Sequence, residues 1–455
     1  MPKLKVVKFG GSSLADAERI KNVAQIITSD SARRIVVVSA PGAIKENDTP
    51  KVTDQLIRLG EKYKKGENIE SSMDEIITRF AEIEGELDSR RIGTKIKQML
   101  ADRLALIDSQ QSMDPLMALG EELNGKIIAD YLKKFGVDTC FLNPEEFIKV
   151  DETDFGKTHV KRSRFSDISD RVTAILTCYD LVIVPGFYGI GTNNQIRTFP
   201  RGGSDYTAAI LAASLGKEIV EVHENFTDVN GVLAADPKII PNARKIEVMS
   251  LRELSELTLG GSFGVFQAEA VAPLARAGIP ISLRNTFRLG ENGTKILTEL
   301  STTQDLVRGI AYRGDYTIVN IRDYDMGDKI GALARIIETF AKDGISIEHV
   351  PTSQISASVI FGSKQNKDRK LLSLLNELEK TNPDELSIDL NVGLVSVVGE
   401  GLKSASGVGA RAFTKLANNG INVVTSLFNG INLTIGVVNG EAKRAVEVLY
   451  KELIG

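Results

Sequence analysis

The sequence predicts an α/β protein: a mainly parallel sheet with helices on both faces over about the first 300 residues, then two small α+β modules. Three observations carry this. Short β-branched runs alternate with longer segments of helical spacing. Several of the runs are continuously apolar rather than alternating, as in strands buried on both faces. Past residue 300 the chain repeats itself in degenerate form. Composition agrees: 455 residues with 56 Lys+Arg, 60 Asp+Glu and 42% hydrophobic residues exclude wholesale disorder, and a net charge of −4 gives no global pull toward nucleic acid or an anionic membrane.

In chain order, the expected strands are Leu4–Phe9, Ile35–Ser39, Thr139–Leu142, Leu181–Pro185, Glu218–Val222 and Ile279–Leu283, with helices such as Ala17–Ile27, Leu119–Lys134 and Tyr206–Ser214 between them. Residues 60–110, rich in Glu, Lys, Arg and Ile/Leu at helical spacing, read as a helical insertion, a surface hairpin before a lid. Ser301–Asp305 is a polar junction. The repeat follows. Each copy opens with a strand (Thr317–Ile321; Val392–Val398), continues as an amphipathic helix ended by a glycine (Gly344; Gly420), and adds a further strand (Ser356–Phe361; Ile431–Val438). A helix at Glu441–Leu453 closes the second copy.

Cys140 and Cys178 are too few for a disulfide framework, and His159, His223 and His349 stand too far apart for a dedicated zinc site, so no metal site is expected. No run approaches the roughly 18 apolar residues of a membrane span, and the first ten residues lack a signal-peptide core. A cytoplasmic protein is expected.

The chemistry concentrates at glycine-rich strand ends. Lys8-Phe9-Gly10-Gly11-Ser12-Ser13 follows the first strand; it fits a structural turn as well as a phosphate loop, with Lys8 one residue inside the strand end. Arg201-Gly202-Gly203-Ser204-Asp205 opens another helix after a second glycine cluster, and a guanidinium there suits a carboxylate or phosphate. Two such helix starts, each with a cation, favour one shared anion site over two capped helices. Glu121 alone reads as a first-turn glutamate, and Thr227–Gly231 and Asp236–Lys238 read as turns.

Taken together and in this order, these segments resemble the aspartate kinase family. Lys8–Ser13 looks like its Lys-Phe-Gly-Gly-Thr/Ser-Ser signature, Arg201–Asp205 is similar to its Arg-Gly-Gly-Ser-Asp, Thr227–Gly231 with Asp236–Lys238 resembles its nucleotide segment, and the tandem repeat resembles its paired ACT regulatory modules. The resemblance implies a three-layer α/β/α amino-acid-kinase-like domain over residues 1–302 and ferredoxin-like ACT modules over 303–385 and 386–455. It implies transfer of the ATP γ-phosphoryl group to the side-chain carboxylate of L-aspartate, with Mg²⁺ carried on ATP, as the first step toward lysine, threonine and methionine. Lys8 is then the group that stabilises the transferring phosphoryl and Asp205 the group that orients it. Amides of Gly10, Gly11, Ser12 and Gly203 surround the phosphates; Ser39, Thr53, Glu121, Arg201 and Ser204 hold aspartate, Glu121 taking its α-ammonium. Thr227, Asp228, Leu233 and Lys238 line the nucleotide pocket, and Met326, Asp328, Gly331, Ile345 and Glu348 contact an effector, lysine or threonine, held between modules of a homodimer or higher oligomer.

Three departures qualify the resemblance: Gly264 where the family often has Lys, Leu233 where many members have Tyr, and a longer loop between Ser39 and Thr53. The first predicts slack nucleotide preference. Two other readings remain: a sibling kinase for another amino-acid carboxylate, and an amino-acid sensor with a weak or inactive catalytic domain.

Overall fold

The computed structural model describes residues 3–44, 48–89, 92–152, 158–200, 202–259, 266–300, 305–363 and 368–455. Two compact units are present: Met1–Val232 with Lys245–Leu251 and Val265–Leu300, and Leu233–Arg244 with Arg252–Gly264 and Ser301–Gly455.

The first unit begins β1 (Leu4–Phe9), α1 (Ala17–Thr28) and β2 (Arg33–Val38), then runs through α2 (Val52–Lys64), α3 (Glu70–Glu86), α4 (Gly93–Gln110) and α5 (Asp114–Lys134). It continues with β3 (Thr139–Phe141), β4 (Asp151–Glu152), β5 (Thr158–His159), α6 (Phe165–Leu176), β6 (Leu181–Pro185), β7 (Tyr188–Ile190), β8 (Ile196–Thr198), α7 (Gly203–Leu215) and β9 (Val220–Thr227). β10 (Val248–Ser250), α9 (Ala268–Ala277), β11 (Ile281–Asn285) and β12 (Thr294–Leu297) complete it; the intervening α8 (Leu251–Leu259) falls almost wholly in the second unit.

Its sheet has the order β10-β12-β11-β9-β1-β2-β6-β3, parallel except where β11 meets β12. Val6, Val7, Phe9 and Ile35–Val38 have no solvent exposure, as unalternating runs require of strands covered on both faces. On α1, Asp16 caps the helix by accepting from the Arg19 amide at 2.9 Å, and Ile20, Val23, Ala24 and Ile27 form one apolar stripe. The neighbours of β1 are β2 on one side and β9 on the other, so the chain leaves β1 in opposite directions along the sheet. In open α/β sheets the crevice at such a reversal, beyond the strands' carboxyl ends, is where ligands bind.

The helical insertion expected over 60–110 is present as α3 and α4, and its inner face belongs to the main core. Met73, Ile76, Phe80 and Ile83 of α3 and Ile96, Leu100 and Leu104 of α4 are buried in the same core as Val7, Phe9 and Val36. The dense charges of that segment mark its outer face; its inner face is structural.

The second unit carries β13 (Gly309–Arg322), α10 (Ala332–Lys342), β14 (Ile347–His349), β15 (Ser356–Gly362) and α11 (Asp368–Glu379), then β16 (Glu385–Val398), α12 (Val408–Asn418), β17 (Val423–Asn429), β18 (Asn432–Val438) and α13 (Asn439–Leu453). Both copies of the repeat share one antiparallel sheet, β14-β15-β13-β16-β18-β17, joined where the first strands of the two copies pair. Each copy thereby covers one edge of the other within a single chain. The stretch Leu233–Arg244 belongs here: Ala235, Ile239, Ile240 and Ala243 pack with Val395, Val397 and Ile435.

Candidate active site

Lys8 points from the penultimate position of β1 and is 9% exposed. Its Nζ lies 2.6 Å from Asp205 Oδ1, in the first turn of α7, and Asn225 Nδ2 donates to the same oxygen at 3.1 Å. Parallel register explains the triad, because Lys8 sits opposite Asn225 on β9. The ammonium overhangs Gly10: a Cβ there would come within 3.6 Å of Nζ. Gly10's own amide donates to the Phe226 carbonyl at 3.2 Å, so Gly10 serves the loop by lacking a side chain, not through its N–H. Beneath, His223 is fully buried; burial lowers its pKa to about 4, against the attraction of Asp205, and leaves the ring neutral beside Lys8.

The loop after β2 is fitted against this glycine loop. Gly42 donates to Gly11 O at 2.8 Å, and a Cβ on Gly42 would fall 2.5 Å from Gly11 C, so both positions need glycine for close approach. Ser39 is tied on both sides: its amide donates to Phe9 O at 3.3 Å, and its carbonyl accepts from the buried Asn124 Nδ2 at 2.7 Å. Thr53 lies in the first turn of α2.

Glu121 and Glu122, adjacent on α5, have opposite surroundings. Burial disfavours ionisation of Glu122, but Arg103 at 2.6 Å and Lys126 at 2.5 Å outweigh it and hold the carboxyl below its usual range. Glu121 is 5% exposed, with Oε2 unpartnered among the described residues; burial pushes its carboxyl up to about 8, against the pull of main-chain amides at Ala40 and at Glu121 itself. A carboxyl so placed fits a cation brought by a ligand.

On the far side of β1 and β2, Gly186 ends β6 against α7, where a Cβ would meet Ser204 Cβ at 2.6 Å. Phe187 follows with φ 81°, a left-handed conformation costing a non-glycine residue about 1–3 kcal/mol. It is held by its amide donating to Thr207 Oγ1 at 3.0 Å and its carbonyl accepting from Phe199 N at 2.7 Å. Gly202 has φ 82° and lies against the Gln267 side chain, and Gly203 fits between Phe187 and Phe199.

Lys8, Gly10, Gly11, Ser12, Ser39, Gly203, Ser204 and Asp205 thus gather where β1, β2 and β6 end, with Glu121 beside the loop that follows β2. Arg201 and Gly264 lie outside the described residues. Thr227 and Asp228 end β9 in the first unit, whereas Leu233 and Lys238 belong to the second, where the Lys238 amide closes a turn on Asp236 Oδ1 at 2.9 Å. Of the effector candidates, Met326 and Ile345 are buried in the first module's core, while Asp328, Gly331 and Glu348 are exposed. Among the described residues no group of three or more His, Cys, Asp or Glu side chains is placed to hold a metal. Sequence reasoning missed Asn225, Asn124, Gly42 and Phe187. Asn225 lies in a polar His223-Glu224-Asn225 stretch that hides the second half of β9; Phe187 stands inside a glycine cluster, where its positive φ leaves no mark in composition.

The amino acid kinase family model matches residues 3–285, and an ACT domain model matches residues 395–453. The chain is 32% identical to aspartokinase 3 of Bacillus subtilis over 99% of its own length and 98% of the relative's. Among solved structures it is similar to Clostridium acetobutylicum aspartate kinase (TM-score 0.81, 31% identity, covering 99% and 100% of the two chains). It is also similar to E. coli aspartokinase III, solved with aspartate and ADP (TM-score 0.81, 25% identity, full coverage of both chains) and with lysine and aspartate (TM-score 0.70, 25% identity, covering 99% and 100%). With its glycine-loop site at the sheet's switch point and its paired repeat, the chain belongs to the amino acid kinase family, among the aspartokinases with C-terminal ACT domains.

Proposed function

We propose that this chain is an aspartate kinase, moving the γ-phosphoryl group of ATP to the side-chain carboxylate of L-aspartate to give 4-phospho-L-aspartate, the first step toward lysine, threonine and methionine. The observation that carries the reading is the pairing of two unlike features at one sheet end: a buried ammonium fixed by Asp205, and a buried carboxyl, Glu121, lacking a cation. The acceptor carboxylate is itself nucleophilic, so the protein's task is to position it and offset the charge of the phosphoryl group. Lys8, held by Asp205 and through it by Asn225, faces that charge without having to reorganise. The small residues Gly10–Ser12 and Gly203 let phosphates approach the backbone, and Mg²⁺ is carried on the nucleotide.

Glu121 takes the α-ammonium of aspartate, Arg201 clamps a substrate carboxylate, and Ser39, Thr53 and Ser204 hold the remaining polar groups. Thr227, Asp228, Leu233 and Lys238 serve the nucleotide; Gly264, in place of the family's usual Lys, gives slack choice between ATP and GTP. We place domain limits at 302 and 385. The ACT modules bind an end-product amino acid, lysine first and threonine second, through Met326, Asp328, Gly331, Ile345 and Glu348, in a cytoplasmic homo-oligomer. E. coli aspartokinase III, crystallised with lysine, supports that order.

Aspartate-dependent ADP release from pure protein, with hydroxamate trapping of the acyl phosphate and lysine or threonine added in turn, tests the reading. Turnover with aspartate and its loss in Lys8→Ala are expected; turnover with a different acceptor, or none, overturns it.

A further inference from the structure

The helical insertion has a specific task. Arg79, on α3, is 6% exposed, and its partners among the described residues are main-chain carbonyls from three separate places. Nη1 donates to Pro50 O, while Nη2 donates to Gly42 O and, at 3.2 Å, to Ala15 O. Ala15 ends the turn that follows the glycine loop, and Gly42 and Pro50 lie on either side of the bend between Ser39 and Thr53. That bend is closed on itself by the Ile44–Thr49 bridge and by Val52 N donating to Pro41 O at 3.1 Å. Neighbouring α3 residues Ile76, Phe80 and Ile83 are locked in the main core, so the guanidinium is a rigid fork reaching from core to loops. A charged group is costly to bury; the Asp16 and Glu82 carboxylates offset part of that cost, and hydrogen bonds that all go to carbonyls make sense where fixing those carbonyls matters.

We propose that Arg79 is a positioning residue that clamps the glycine loop carrying Lys8's phosphate site to the loop carrying Ser39, setting the distance between the two reacting groups. This rests on the kinase reading for its catalytic consequence, but the clamping itself does not. Misplacement of reacting groups by about 1 Å costs of the order of a hundredfold in rate.

The test compares wild type, Arg79→Ala, Arg79→Lys and Met73→Ala, the last removing core packing from the same helix. Hydrogen exchange is read over residues 10–16 and 40–52, alongside kcat and both KM values, with and without millimolar guanidinium. Arg79→Ala is expected to speed exchange in both loops at least tenfold while α3 stays protected, and to lower kcat about 10- to 100-fold more than KM changes. Guanidinium restores both readouts in part, Arg79→Lys recovers less than half of the loss, and Met73→Ala lowers thermal stability without either signature. Unchanged exchange in either loop, or losses that track the folded fraction and ignore guanidinium, overturn the proposal. If wild type fails to phosphorylate aspartate, the exchange readout still decides whether Arg79 clamps the loops.

Discussion

The carboxyl ends of the parallel strands and the shared sheet of the paired modules treat buried polar groups differently. Around the ends of β1, β2 and β9, Glu121 Oε2, Asn124 Oδ1 and Asn225 Oδ1 are buried without a partner among the described residues, as are His223 Nε2 deeper in the sheet and Gln55 Oε1, Arg79 Nε, Asp151 Oδ2, His159 Nδ1 and Ser214 Oγ elsewhere in the unit. In the second unit the comparable atoms are Arg308 Nε, itself 3.6 Å from Glu253, and Asp343 Oδ2. There the core is held by apolar packing of Val395, Val397, Ile435 and Leu449 and by the β13–β16 pairing. Leaving a buried polar group unmatched costs roughly 1–3 kcal/mol, so a cluster of them marks where the fold gives up stability for a ligand. Among the described residues the modules show no such cluster.

Four substitutions break or sharpen this contrast. Lys8→Met should lower kcat by about a thousandfold with KM values changed far less, since the ammonium acts on charge that develops during transfer; steady-state ADP release checks it. Glu121→Gln should raise KM for aspartate about 10- to 100-fold and leave KM for ATP alone. The same variant has a pH signature. The folded carboxyl titrates near 8 against an ordinary value of 4.5, so the folded state holds the extra proton between those values. Its stabilising effect is therefore complete below 4.5 and lost as pH rises through 8. Wild-type melting temperature in the absence of ligand should fall over that range more steeply than that of Glu121→Gln.

Asn225→Ala should cost about tenfold in kcat, as Asp205 loses a neutral hydrogen bond but keeps Lys8. The smallest catalytic effect is expected in the modules. A Cβ at Gly393 would fall 2.7 Å from Ala442 Cβ, so Gly393→Ala should destabilise the second unit by about 1–3 kcal/mol in a melting experiment. Basal kcat should hold below that transition.

The sequence was most informative where periodicity and burial agree. β6 is an unbroken apolar run, β1 and β2 carry the apolar stretches Val6-Val7 and Ile35–Val38, and the repeat exposes itself through Gly344 and Gly420, both left-handed at helix ends. It was least informative where a buried strand carries polar residues. β9 extends through His223, Glu224 and Asn225, each completely or almost completely buried, because their partners arrive from β1, β2 and α7, far away in sequence. Lys8 and Asp205 were legible from their glycine neighbours. Asn124 and Gly42 were not, since each acts through contact with a main-chain atom on another loop, which leaves no mark in local composition. The inner face of α3 was hidden by the charges on its outer one.

Isothermal titration of aspartate into the protein at pH 7 with ADP present, in buffers of different ionisation enthalpy, tests most directly that Glu121 awaits the substrate's ammonium. A carboxyl that is mostly protonated when free and ionised when paired should release about one proton per aspartate bound, and Glu121→Gln should abolish that release. Binding without proton release in the wild type, or equal release from both proteins, would contradict the account.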